Sequence, residues 1–147
     1  MPLVEKIVEI LSPIAVSKGA RIVSADYGAK ILRILVEKQD YSPLPLSAIE
    51  ELSRLFSAQL DVEDAIAGRY FLEVGSAGMD RPILTPADWE HFTGHLADVE
   101  LREPIDGQRR LRVKIPSGID FSNVMKARLA ISDEQIKGIL KERKENG

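Results

Sequence analysis

Residues 70–82, Tyr-Phe-Leu-Glu-Val-Gly-Ser-Ala-Gly-Met-Asp-Arg-Pro, constrain this chain more than any other stretch. Tyr70, Leu72 and Val74 alternate with Glu73, the pattern of a strand with one face buried. The second half cannot continue as strand. Gly75 and Gly78 are expected to supply positive φ, and Pro82 restricts Arg81 to an extended conformation. The chain therefore leaves a strand, turns, and presents Asp80 and Arg81 on a stiff exit between two packed units. Gly78, Asp80, Arg81 and Pro82, together with Arg102, are candidates for an interdomain or partner contact, with a salt bridge that locks the connector as the favoured reading for Asp80 and Arg81.

A length of 147 residues fits one ordinary domain or two small ones. The absence of cysteine excludes disulfides and thiolate metal sites. No apolar run reaches membrane-spanning length and Met1 to Lys6 do not open a signal peptide, so a cytoplasmic protein is expected. The net charge of −3 argues against a uniformly basic polyanion binder. Either the basic residues are concentrated locally, or the partner is itself basic.

Apolar residues at Leu3, Val4, Ile7, Val8, Leu11 and Ile14 predict a helix over 3–17, kinked or ended by Pro13 unless packing tolerates it. Arg21 to Tyr27 and Ile31 to Lys38 read as a hairpin about Gly28-Ala29. Ser47 and Glu50 have capping-box spacing ahead of a second helix, which buries Ile49, Leu52, Leu55 and Phe56 and runs to about Leu60. Residues 1–82 thus form a two-layer α-β-β-α-β domain with its connector.

Residues 83–147 form a second, smaller β domain. Thr85 caps a short helix with Pro86 at its first position and Asp88 near its positive end. Short strands follow over Ala97 to Arg102, Leu111 to Ile115 and Ala127 to Ile131, with Asp106-Gly107 as a turn. Ser132 to Gln135 signals a terminal helix carrying Ile136, Ile139 and Leu140. The fold class is α+β.

The basic cluster Arg109, Arg110, Arg112 and Lys114 is the strongest candidate for binding. On a strand, Arg110, Arg112 and Lys114 share one face opposite Leu111, Val113 and Ile115, and can track phosphates or an acidic surface. His91 and His95 are four apart but lack a third ligand, so surface histidines beside Trp89 and Phe92 are expected rather than a metal site. Asp61, Glu63 and Asp64 could hold Mg²⁺ in an RNA hydrolase, but without a phosphate loop they read better as a solvated acidic loop. No nucleotide fingerprint or nucleophile motif is present, and no cofactor or small-molecule substrate is implied.

Leu72-Glu73-Val74-Gly75-Ser76-Ala77-Gly78-Met79-Asp80-Arg81-Pro82 resembles the signature of the bacterial ribosome maturation factor RimP family, Leu-Glu-Val-Ser-Ser-Pro-Gly-Leu-Asp-Arg-Pro. Leu60-Asp61-Val62-Glu63-Asp64 and Arg102-Glu103-Pro104-Ile105-Asp106-Gly107 are further matches in the family's order. The resemblance implies an α/β first domain and an Sm-like or SH3-like barrel as the second. It also implies a monomeric, non-enzymatic factor that binds the free small ribosomal subunit through a ribosomal protein and nearby rRNA. This chain departs from the family after Arg109-Arg110, where a further strand pair is expected before Val113 to Pro116. The second domain is therefore reduced, or a flexible stretch is missing from the sequence; either leaves an open edge. A generic Sm-like RNA-binding module, assembling through that edge, is the other alternative.

Overall fold

The computed structural model describes residues 2–78 and 81–130. The chain divides into two compact units, Met1–Gly78 and Met79–Gly147. Its α+β elements run α-β-β-α-β in the first unit, followed by a strand-rich second.

In the first unit, α1 (Leu3–Ser17) precedes β1 (Ala20–Gly28) and β2 (Ile31–Lys38), then α2 (Leu46–Glu63) leads to β3 (Phe71–Ser76). β2 is central, antiparallel to β1 and parallel to β3. Its alternation sets the layers: Leu32, Ile34 and Val36 point into the core, while Arg33 faces water. Against them pack Ile7, Leu11 and Ala15 of α1 and Ile49, Leu52, Phe56 and Leu60 of α2. Tyr70, Leu72 and Val74 join the edge of this core, as their alternation requires.

α1 spans the expected residues 3–17 and continues through Pro13, because the proline lies on the solvent face and the backbone bond it forgoes does not disturb the buried stripe. Four local expectations are corrected here. α2 begins earlier than the capping box implies: extended Pro45 is its N-cap, so Ser47 lies inside the first turn and makes no cap bond. The same helix runs past Leu60 to Glu63 and stops at Asp64, whose left-handed backbone ends it. Gly75 remains in β3 opposite Leu35, and only Gly78 takes positive φ (77°). The β1–β2 turn forms one residue later than expected, at Ala29 and Lys30, both at positive φ, while Gly28 still belongs to β1.

In the second unit, α3 (Pro86–His91) is capped by the Thr85 hydroxyl, which accepts from the Asp88 N–H at 3.0 Å. β4 (Leu96–Ile105) and β5 (Gln108–Lys114) form a hairpin through Asp106-Gly107, and β6 (Val124–Leu129) pairs with the other side of β4. The sheet order is β5-β4-β6, antiparallel throughout. All three strands differ from the expected spans, β4 running on to the turn and β5 and β6 each starting three residues early. Trp89, Phe92, Val99, Leu101, Ile115, Ile119 and Val124 are buried in this unit. Among the described residues the strands do not close a barrel. The expected terminal helix lies outside the described residues. No described helix is long and apolar enough to cross a membrane.

Candidate functional site

The connector residues organise the second unit from within. The Ile83 N–H donates to Ala127 O at 2.8 Å and the Leu129 N–H to Arg81 O at 2.9 Å, so residues 81–83 add a short antiparallel segment beside β6. The Arg81 side chain is only 3% exposed. Its Nη1 lies 3.2 Å from Asp88 Oδ2, its Nη2 donates to Asp88 Oδ1 at 3.3 Å, and Nη1 also donates to Pro82 O at 2.7 Å. The guanidinium stands over the Phe92 ring, 5.0 Å from its centroid.

Asp88, 2% exposed, accepts a further bond from the Leu84 N–H at 3.0 Å. Burial pushes the Asp88 carboxyl up, but the bonds from Arg81 and Leu84, the Arg81 charge and Thr85 outweigh it and hold the group below the ordinary aspartate value. A buried charge pair persists when its remaining lone pairs and protons are bonded, as here. Asp88, read from the sequence as a helix-dipole residue, is thus the buried counterion of Arg81. Gly78 supplies a turn, its N–H donating to Ser76 Oγ at 3.3 Å; Asp80 lies outside the described residues.

The outer face of the second sheet gathers most of the exposed cations among the unit's described residues. β5 alternates as expected, with Arg110, Arg112 and Lys114 exposed and Leu111 and Val113 half-buried. Across β4, Asp98 stands opposite Arg112 on one side and Arg128 on the other; Glu100 stands between Arg110 and Lys126. Each row therefore reads cation, carboxylate, cation. Arg112 holds Asp98 through two bonds, Nε to Oδ1 at 2.7 Å and Nη2 to Oδ2 at 3.1 Å, whereas Arg110 lies 4.0 Å from Glu100. The bonds from Arg112, aided by the charges of Arg112 and Arg128, lower the Asp98 carboxyl despite slight burial. Arg102 is exposed further along β4, and Arg109 turns to the opposite side, its Nη1 donating to Arg102 O at 3.1 Å.

A groove of about 830 Å³ runs over this face, lined among others by Leu84, Glu100, Arg102, Arg110, Lys126 and Arg128. The sequence reading found the β5 cations but missed Lys126 and Arg128, although Lys126-Ala127-Arg128 carries the same alternation. It also missed that Asp98 and Glu100 lie between the two basic strands.

The remaining candidates lie on other elements. α3 ends at His91, so His91 and His95 do not share a helical face; both rings instead meet Phe92 edge-on, at 4.8 and 5.5 Å between centroids. Asp61 and Glu63 occupy the exposed last turn of α2, and Asp64 caps it. Among the described residues no three acidic or histidine side chains are grouped to hold a metal ion.

Residues 10–80 match the family model of the RimP N-terminal domain. The first unit, with its α-β-β-α-β order, is a domain of that class. The match supports the ribosome maturation factor RimP family for this chain, and with it a general role in ribosome maturation. The family is known for maturation factors that are not enzymes.

Proposed function

We propose that this protein is a cytoplasmic, non-enzymatic assembly factor of the small (30S) ribosomal subunit. It binds the free subunit as a monomer, through one ribosomal protein and the rRNA beside it. The observation that carries the reading is the RimP N-terminal domain at residues 10–80. The charged face of the second sheet supports an rRNA contact, because it answers the objection raised by a net charge of −3. Six cations, Arg102, Arg110, Arg112, Lys114, Lys126 and Arg128, are collected around two carboxylates, so the local field opposes the sign of the whole chain.

Arg110, Arg112 and Lys114 are the rRNA-facing or ribosomal-protein-facing residues in this proposal, with Arg109 and Arg102 at the turn end of the sheet. Gly78, Asp80, Arg81 and Pro82 serve by setting where the second unit begins, Arg81 through its buried pair with Asp88. Binding would act as a chaperone does, favouring one conformation of an incompletely folded subunit without a covalent step. Co-sedimentation with free small subunits, free large subunits and intact ribosomes, at low and moderate salt, tests the reading. Selective pelleting with free small subunits is expected; equal or no pelleting with all three would overturn it.

A further inference from the structure

The two charged rows of the second sheet distinguish between forms of nucleic acid. β5 and β6 are separated by β4, so their cations form two rails about 10 Å apart at the backbone, two inter-strand spacings. Arg110, Arg112 and Lys114 make one rail and Lys126 and Arg128 the other. Between the rails the floor is negative, carrying Asp98 and Glu100.

A single strand laid along the midline would place phosphates on these carboxylates. Laid along one rail, it would use half the cations. Single-strand modules also stack bases on exposed aromatic rings. The described strands β4, β5 and β6 carry no aromatic residue; the groove's apolar rim is aliphatic at Pro82, Leu84 and Met125, and its one ring, Phe121, is half-buried and tilted against Trp89 at 5.8 Å between centroids.

A duplex meets the same face differently. It offers two phosphate strands flanking a groove, and its bases are already stacked. In A-form RNA the minor groove is wide and shallow and is lined by 2′-hydroxyls, with the guanine amino group as a further donor. A carboxylate accepts about four hydrogen bonds in all. Asp98 takes two from Arg112, and Glu100 is only loosely held by Arg110, so the floor retains acceptors for such donors.

Resting on the assembly-factor reading, we infer that this face binds double-helical RNA across its minor groove, with the β5 and β6 cations on opposite phosphate strands and Asp98 and Glu100 facing the groove floor.

The test is fluorescence anisotropy of the full chain with an RNA duplex of about 16 base pairs, the span a double-strand reader covers. One of its single strands and a DNA duplex of the same sequence are the comparisons. The RNA duplex is expected to bind about tenfold more tightly than either. Lys126→Ala is expected to weaken the duplex several-fold and to reduce the slope of log affinity against log salt by about one, as loss of one phosphate contact does. The Trp89 fluorescence melt confirms that the variant is folded.

Equal or tighter binding of the single strand or of the DNA duplex would overturn the inference, as would a folded Lys126→Ala variant with unchanged affinity and slope. Displacement of the protein from small subunits by an acidic peptide but not by the RNA duplex would overturn it in favour of an acidic protein surface. The same preparation is run against free small subunits. Selective subunit binding without duplex preference defeats this inference alone, duplex preference without subunit binding defeats the assembly-factor reading, and loss of both defeats both.

Discussion

The two sheets of this molecule carry opposite charge patterns on their outer faces. In the first, Arg33 on the central strand stands between Asp26 and Glu73, and its Nε donates to Glu73 at 2.9 Å. In the second, Asp98 stands between Arg112 and Arg128 and Glu100 between Arg110 and Lys126. Both patterns support register, since opposite charges directly across strands are favourable. On the first face these charges and the Arg21–Glu37 pair nearly balance, whereas the second gathers an excess of cations that attracts a polyanion, so the two units present different surfaces within a chain of modest net charge.

Their interiors differ as well. The first core is apolar, with Phe56, Ile7, Leu11, Leu32, Ile34 and Leu52 almost fully buried. The second is smaller and includes a buried ion pair. The largest expected effects are therefore on stability and arise by different means. Phe56→Ala should cost the first unit about 3–5 kcal/mol through lost burial and a cavity, read from the far-ultraviolet circular dichroism melt. Arg81→Met should cost the second unit about 3–5 kcal/mol by leaving Asp88 unpaired, read from Trp89, the chain's one tryptophan and a buried residue of that unit. Adding Asp88→Leu should recover part of this loss. By contrast, Arg112→Ala breaks a pair whose side chains are 54% and 45% exposed, and should cost at most about 1 kcal/mol. Equal losses for Arg81 and Arg112 would erase the distinction between structural and surface charge drawn here.

Acid should separate the units further. The Asp88 carboxyl lies below its unfolded value, so its contribution is fully present above about pH 3.9 and is lost as pH falls through the lower folded value. The Trp89 transition should therefore weaken below about pH 4, and less so in the Arg81→Met/Asp88→Leu variant. An acid response that is the same with and without Asp88 would contradict this assignment.

Much of the first unit was legible because its information is local. Helical spacing from Leu3 to Ile14, the alternation of Leu32 to Glu37, and the turn after Gly28 each specify an element within a few residues. One failure was local, and the others came where a neighbour in space outranked a neighbour in sequence. Ser47 and Glu50 have capping-box spacing, but extended Pro45 starts the helix first. Asp88 looks like a helix-start acid until the chain folds back and places Arg81 against it. β5 and β6 are brought to one face only by pairing with opposite edges of β4, so Lys126 and Arg128 could not be joined to Arg110 and Arg112 by spacing alone.

The smallest expected effect concerns the acidic end of α2. Asp61 and Glu63 lie in a last turn that contains no basic residue, where carboxylates oppose the helix dipole. Glu63→Lys should raise stability by up to about 1 kcal/mol, less the bond Glu63 accepts from Gln59, and should leave subunit binding unchanged. Reduced binding would assign that end of the first unit to the partner surface.

The most direct test compares charge changes on the two sheets in one assay. Co-sedimentation with free small subunits would be measured across a salt series for the wild type, Arg33→Ala, and the double variant Arg110→Glu/Lys126→Glu. Wild-type binding is expected for Arg33→Ala, and for the double variant at least about a tenfold loss with a shallower salt dependence. Unchanged binding of a folded double variant, or an equal loss for Arg33→Ala, would contradict the claim that the second sheet carries the contact.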